Sequence, residues 1–351
     1  MISLIYYITM IVKRLMSPEI AKKVLLKLSN GEKFFYSEQV FSPEQNSSIK
    51  RLVILLPGRG CWWAKQKGGG CTMCGFEKKL EKVKAYRYSA RDLITLCKIA
   101  LNLCEKEIFE VVIFNGGSFL NNSEIPLKAQ KGIFRLIACF SARRVYIESR
   151  PEFITLDKMR ELAKILRDKK LIVGVGLETL KDSIRERNIN KGFNLAEYER
   201  AVRILTEANV ELLTYVFLKP IGLSEKAAIQ EAEETITYAF NKGSKEVALE
   251  AAFVQEGTVM EKLFNLGKYR PPWLWSVIEV VKKTYHLGFV HVGRFNDEPA
   301  PIAVPSNCPL CTDRVSAAIQ RYRENHSLKE LESLSCECQK EWKKILKNNK
   351  A

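Results

Sequence analysis

Three cysteines carry the clearest chemistry in this chain: Cys61, then nine residues, then Cys71, two residues and Cys74. Three thiolates can bind three irons of a 4Fe–4S cluster and leave the fourth iron open to a small molecule. Gly68, Gly69 and Gly70 lie inside the loop, where a backbone without Cβ atoms can wrap closely around such a cluster. The competing reading is a zinc knuckle, but that wants four ligands and no further Cys or His lies nearby. A second set, Cys308-x2-Cys311 and Cys336-x-Cys338, offers four soft ligands separated by a helix-length insertion. Four thiolates can close a tetrahedral zinc site, with His326 able to replace one; a second iron–sulfur cluster is the rival. Structural zinc is the preferred reading. Cys97, Cys104 and Cys139 lie in apolar stretches and read as small core residues.

These ligands need a scaffold. The chain has 351 residues, 46% of them hydrophobic, enough for a sizeable core and roughly two domains. From residue 51 to about 252, short apolar runs alternate with segments of helical period. Strands are expected at Arg51–Leu56, Glu110–Phe114, Arg144–Ser149, Leu171–Glu178, Glu211–Leu218 and Glu246–Phe253. Ala90–Cys104 and Glu225–Phe240 read as intervening helices. Repeated strand–helix–strand units imply parallel pairing with right-handed crossovers. The expected fold is α/β: a partial (β/α)6 TIM-like barrel with a small C-terminal metal-binding helical extension. The expected division is an N-terminal extension at 1–50, the barrel at 51–300 and the cysteine-bearing tail at 301–351. A short strand is expected near Phe289–Val292, and a proline-rich loop from Pro299 to Pro305 leads to the tail.

Barrels of this kind do their chemistry at the C-terminal strand ends. The cysteine loop follows the first expected strand, Gly116-Gly117 the second, and Glu148-Ser149-Arg150-Pro151 closes the third. Glu178-Thr179 closes the fourth and Lys219-Pro220 the fifth. An open iron at such a rim can chelate the amino and carboxylate groups of S-adenosylmethionine. An electron from the cluster then breaks the sulfonium C–S bond and releases a 5′-deoxyadenosyl radical. A carboxylate at a strand end, Glu148 or Glu178, suits ribose hydroxyls, and Arg150 can meet a carboxylate bidentately. Phe76 would pack near adenine. Arg187 and Asn190-Lys191-Gly192 follow in a loop that could shape the substrate mouth, or simply pair with Glu178 or Glu186.

The cysteine loop resembles that of the radical S-adenosylmethionine (SAM) superfamily, and its nine-residue gap is similar to the Elongator catalytic subunit branch. Asn115-Gly116-Gly117-Ser118-Phe119 resembles the glycine pair that binds the methionine amino group there. It departs from the commoner Gly-Gly-Glu at Ser118, leaving backbone contact. A closer resemblance covers nearly the whole chain. Cys61-Trp62-Trp63, Gly176 to Thr179, Gln255-Glu256-Gly257-Thr258, Tyr269 to Trp275 and the tail cysteines together look like the archaeosine synthase radical-subunit family. That resemblance implies a tRNA substrate whose D-loop deazaguanine already carries a lysine. It further implies hydrogen abstraction from the lysine moiety and C–N cleavage to the formamidine of archaeosine. A companion archaeosine synthase lysine transferase and an external electron donor are the implied protein partners.

The formal net charge of +16 suits a polyanionic partner, although a solvated lysine-rich surface gives the same balance. The basic tail (Lys340, Lys343, Lys344, Lys347 and Lys350) can be read either way. Trp273 and Trp275 read as core rather than as base-stacking platforms. Clustered cysteine pairs in a large lysine-rich chain point to a reducing cytoplasm rather than to disulfides. The apolar run Met1–Val12 is too short to span a bilayer, so no membrane is expected. Ser17-Pro18-Glu19 opens a helix well, and Met16 is an alternative start. Two other readings stay open: another radical tRNA modification, and a non-catalytic metal-stabilised nucleic-acid-binding protein.

Overall fold

The computed structural model describes residues 10, 12–29, 34–76, 88–295 and 300–348; residues 1–9, Ile11, Pro299 and Lys350 of the segments above lie outside it. One eight-stranded sheet runs in chain order: β1 (Phe35–Ser42), β2 (Ser47–Leu55), β3 (Ile108–Phe114), β4 (Arg144–Glu148), β5 (Lys170–Glu178), β6 (Glu211–Leu218), β7 (Glu246–Ala251) and β8 (Phe289–Val292). β1 is antiparallel to β2, and every later pair is parallel. Helix α1 (Pro18–Ser29) precedes the sheet, starting where Ser17-Pro18 predicts. The crossovers carry α2 (Ala90–Leu103), α3 (Leu127–Ala138), α4 (Leu156–Leu166), α5 (Leu195–Glu207), α6 (Glu225–Asn241), and then α7 (Val259–Asn265) with α8 (Leu274–Thr284). The tail is α9 (Thr312–Asn325), α10 (Leu328–Ser333) and α11 (Cys338–Asn348). The partial β/α barrel is therefore present, with β7 ending at Ala251 rather than Phe253.

Alternation within each strand divides the residues between two faces. Outward residues such as Leu52, Ile113, Ile147 and Val173 pack against the crossover helices in one apolar core. Val247, Leu249 and Val290 pack against α6, α8 and the tail in a second. Inward residues Val53, Val112, Tyr146, Ile172, Leu213 and Ala248, one from each of β2 to β7, fill the barrel interior.

Toward the N-terminal strand ends the interior is ionic. Arg144, 2% exposed, forms ion pairs with Glu110 at 2.9 Å and with Glu246. Arg51 reaches Glu110 at 3.0 Å, while Tyr146 donates to Glu246 at 2.8 Å and His291 lies 2.5 Å from its other oxygen. This layer shuts one end of the barrel and leaves the other for chemistry. Burial pushes the Glu246 carboxyl up, but His291 and Arg144 more than offset this and hold it well below the usual carboxylate range. A depressed carboxyl stabilises the fold above the unfolded value of about 4.3, and that contribution fades as pH falls below it. Glu246→Gln should therefore cost about 3–5 kcal/mol at pH 7 and less at pH 3. A wild-type-to-variant difference in urea unfolding that stays constant between pH 7 and pH 3 would refute this.

β1 was not anticipated. Its inward Glu38 stands opposite Arg51 in the ladder and also pairs with Arg294, so a charge occupies a position where strand periodicity wants an apolar residue. The sheet curls until Phe41 of β1 stacks on Phe289 of β8 at 5.7 Å, without a shared ladder. α9 covers this seam, and the Tyr322 hydroxyl donates to the Val290 carbonyl on the β8 edge at 2.9 Å. The tail thus protects an otherwise open sheet edge.

Candidate active site

The cysteine loop follows β2 and is clamped from three sides without using its thiols. After β3, Gly117 brings the backbone so close that a Cβ there would stand 3.1 Å from the Cys61 Cα and inside the Glu124 carboxylate. Glu124, 2% exposed, accepts from the Trp62 N–H at 2.9 Å and the Ser118 N–H at 2.6 Å. It also accepts from the side-chain amides of Asn121 at 3.1 Å and Asn115 at 3.3 Å. Burial raises its pKa, and the bonds from Trp62, Ser118 and Asn121 oppose the rise. Glu124 thus ties the cysteine loop to the Gly-Gly loop.

The second clamp comes from the loop after β5. Thr72 N–H donates to the Ile189 carbonyl at 2.9 Å and its hydroxyl to the Asn188 carbonyl at 2.7 Å. Asn190, left-handed at φ 57°, donates to the Gly68 and Gly70 carbonyls and receives the Trp63 indole N–H at 2.7 Å. Gly192 is glycine because a Cβ would lie 2.4 Å from the Trp63 ring. The third clamp follows β7: Gly75 N–H donates to Gln255 Oε1 at 2.8 Å, and Met260 N–H to the Thr72 carbonyl at 3.1 Å.

The Cys61 thiol acts electrostatically on Cys71, and Cys61 and Cys71 both act on Cys74. Burial pushes the Cys71 thiol up, with the Lys191 ammonium opposing and Glu178 and Cys61 adding to the rise. A metal's charge is what makes such a thiol a thiolate.

The rim residues expected from sequence gather around this loop. Asn115 is 3% exposed, beside Gly116 at φ 64° and Gly117. Glu148 ends β4 and accepts from the Tyr215 phenol, whose pKa burial and that carboxylate push far up. Glu178 sits at a bulge between β5 and β6 with φ 66°, and its carboxylate lies 2.5 Å from the Lys191 ammonium. The ion pair considered for this loop thus exists, but at the rim and largely buried. Arg150 braces the same loop: it bonds the Lys191 carbonyl at 2.7 Å, the Gly192 carbonyl at 3.3 Å and Glu152 at 2.5 Å. Its guanidinium lies over the Trp63 and Phe193 rings. Phe76 is half-buried at the end of the cysteine loop.

Two buried polar atoms at this rim, Asn115 Oδ1 and Gln255 Nε2, have no partner among the described residues. Native interiors rarely leave such atoms unpaired, so a cluster with a polar co-ligand fits the site.

A model of the radical SAM superfamily matches residues 55–243. The chain belongs to the radical SAM superfamily. Archaeosine synthase subunit beta of Methanosarcina acetivorans is 31% identical over 304 residues, covering 85% of each chain. The protein of the same name from Thermococcus kodakarensis is 33% identical over 307 residues, covering 85% of this chain and 92% of that one. Among solved structures, Methanocaldococcus infernus Elp3 with an N-terminal deletion superposes with a TM-score of 0.51 at 14% identity, over 67% of this chain and 59% of that one, a likeness of fold. Membership of the radical SAM superfamily implies a 4Fe–4S cluster and S-adenosylmethionine; Cys61, Cys71 and Cys74 are the residues expected from sequence to hold that cluster.

The tail cysteines form a separate centre. Cys308 Sγ lies 3.6 Å from those of Cys311 and Cys336, and Cys311 Sγ lies 3.6 Å from that of Cys338. All four sulfurs fall within 4.8 Å of one another. Four sulfurs at about 2.3 Å from one zinc ion would stand about 3.8 Å apart at the edges of a tetrahedron. A cubane holds its thiolates on four different irons and so spreads them wider. His326 is not part of this group. It caps α9 with φ 49°, and its ring lies among Phe41, Tyr285, Phe289 and Tyr322, where burial lowers its pKa to about 4. Trp273 and Trp275 are core, each 3% exposed, and the Trp275 indole N–H donates to Cys338 Sγ at 3.2 Å.

Proposed function

We propose that this radical SAM protein is a lyase that converts a lysine-adduct deazaguanine in the D-loop of archaeal tRNA to archaeosine by C–N bond cleavage. The observation that carries the reading is the likeness to proteins named archaeosine synthase subunit beta, which extends over 85% of the chain and so includes the rim. A loaded cluster with S-adenosylmethionine supplies a 5′-deoxyadenosyl radical for hydrogen abstraction. The chain's own residues bind and orient. Glu124 holds the Gly-Gly loop against the cysteine loop, Arg150 fixes the 191–193 segment, and Glu148 and Glu178 present carboxylates to the cofactor's hydroxyls. A lysine transferase subunit and an external electron donor complete the system, in a reducing cytoplasm. Among the described residues no helix is long and apolar enough to cross a membrane.

The outer face of the cysteine loop suits an RNA. Residues 57–76 contain Arg59, Lys65 and Lys67 and no Asp or Glu other than Glu77 beyond its end; all three cations are exposed, as is Trp62 at 36%. Cations take phosphates with counterion release, and an indole face stacks on a base. Replacing Arg59 and Lys67 by glutamine should weaken tRNA binding and reduce the slope of log K against log salt by about two. Filter binding at several salt concentrations measures this, and an unchanged slope removes the loop from the RNA interface.

The tail thiolates hold a structural zinc ion in this reading, since their spacing matches one ion better than a cubane. The decisive experiment for the function is anaerobic reconstitution with reductant and S-adenosylmethionine, assayed for 5′-deoxyadenosine with and without lysine-modified tRNA. Deoxyadenosine together with archaeosine is expected. Deoxyadenosine alone keeps the chemistry and rejects the substrate.

A further inference from the structure

Gln255 lies in the turn after β7 and is 2% exposed. Its Oε1 accepts from the Gly75 N–H at 2.8 Å, a fully buried bond, and the Thr258 hydroxyl donates to its backbone carbonyl at 2.8 Å. Gly75 is glycine because a Cβ there would stand 2.9 Å from the Gln255 Cβ and 3.0 Å from Oε1. The orientation of the amide follows: a backbone N–H can only face the carbonyl oxygen, so the NH2 end points the other way. That Nε2, with two N–H donors, has no partner among the described residues. A buried donor left unpaired is destabilising, and such atoms are rare unless an absent group accepts from them. The residue preceding Gly75 is Cys74, a cluster ligand.

We propose that Gln255 donates an amide N–H to the group carried by the three-cysteine loop, an acceptor atom of either the 4Fe–4S cluster or the bound S-adenosylmethionine. This rests on membership of the radical SAM superfamily and not on the tRNA reading. Hydrogen bonds to cluster sulfurs are among the factors that set the reduction potential, and a donor to sulfur makes the cluster easier to reduce. A donor to S-adenosylmethionine instead adds to its affinity.

Two variants separate the donor from the rest of the side chain. Gln255→Met removes the N–H groups without adding charge, and Gln255→Glu removes them while keeping an oxygen for the Gly75 N–H. Reconstituted protein is compared by iron content, by EPR-monitored redox titration without S-adenosylmethionine, and by equilibrium dialysis with it. A more negative midpoint potential in both variants assigns the acceptor to a cluster sulfur. An unchanged potential with about ten-fold weaker S-adenosylmethionine binding assigns it to the cofactor. Both quantities unchanged in Gln255→Met at wild-type iron content overturn the proposal. So does loss of iron from Gln255→Met alone with wild-type iron, potential and S-adenosylmethionine affinity in Gln255→Glu, which would make the bond to Gly75 the whole role of the residue. Neither readout needs a tRNA, so failure here leaves the proposed function untouched.

Discussion

Cys71→Ala is expected to reduce the iron of the three-cysteine centre to background and to end 5′-deoxyadenosine formation, a loss of at least about 10³-fold, while the fold survives. The loss follows from ligand number: two thiolates cannot retain the cluster whose open iron must bind S-adenosylmethionine. Survival follows from the clamps on the loop, because Thr72, Asn190, Trp63, Gly75 and Glu124 hold it through hydroxyl, amide, indole, backbone and carboxylate hydrogen bonds that the substitution leaves in place. Far-UV circular dichroism and thermal unfolding of the metal-free variant should match those of metal-free wild type. The raised pKa of the Cys71 thiol adds a pH signature. Metal loading must displace its proton, so wild-type reconstitution should become faster between pH 7 and pH 9. A Cys71→Ala protein with wild-type iron and deoxyadenosine yield would reject the assignment of the ligands.

The three-cysteine pattern stands out in the sequence because it is local: all three fall within fourteen residues, and cluster chemistry dictates their type and number. The six barrel strands were legible because Val- and Ile-rich runs separated by helical periods admit little else. An ion pair of this loop with Glu178 or Glu186 was one of two alternatives, expected at the surface; Lys191 does meet Glu178, thirteen residues away across one loop, but largely buried. What failed to show were contacts between distant segments. Glu124 meets Trp62 across sixty-two residues, and Gln255 meets Gly75 across one hundred and eighty. Only the third dimension brings them together, so no spacing announces them. β1 was hidden for another reason. Its inward glutamate serves an ionic layer that continues through Arg51, Glu110, Arg144 and Glu246, and patterning rules assume an apolar interior. His326 lies between the two tail cysteine pairs in sequence and so stood as a possible substitute ligand, whereas an aromatic pocket under the seam claims it.

Removing the tail metal should have the second largest effect, on stability rather than on catalysis. Cys311 is 1% exposed and sits in the same core as Trp275, Val315, Ile319 and Tyr322, so four thiols are packed where one ion would join them. Free zinc-finger peptides gain about 10–16 kcal/mol on binding zinc. Here α9 is also held by Tyr322 to the β8 edge, and α11 by the Trp342 indole N–H to the Ser276 hydroxyl at 2.9 Å. These contacts keep part of the tail's stability, so Cys311→Ala should lower global stability by roughly 3–5 kcal/mol rather than by the full binding energy. The variant should lose one zinc per chain, unfold at lower temperature and become sensitive to proteolysis in the 300–312 segment, where the released tail joins the barrel. Iron content and deoxyadenosine formation at low temperature should stay close to wild type, because the three-cysteine loop is clamped by β3, β5 and β7 elements and not by α9–α11. Cys97→Ala, which removes a buried thiol outside both centres, controls for simple cavity formation. If zinc content is unchanged in Cys311→Ala, or if iron rather than zinc is what the variant loses, the tail is not a single-zinc centre and the spacing of its sulfurs needs another ion.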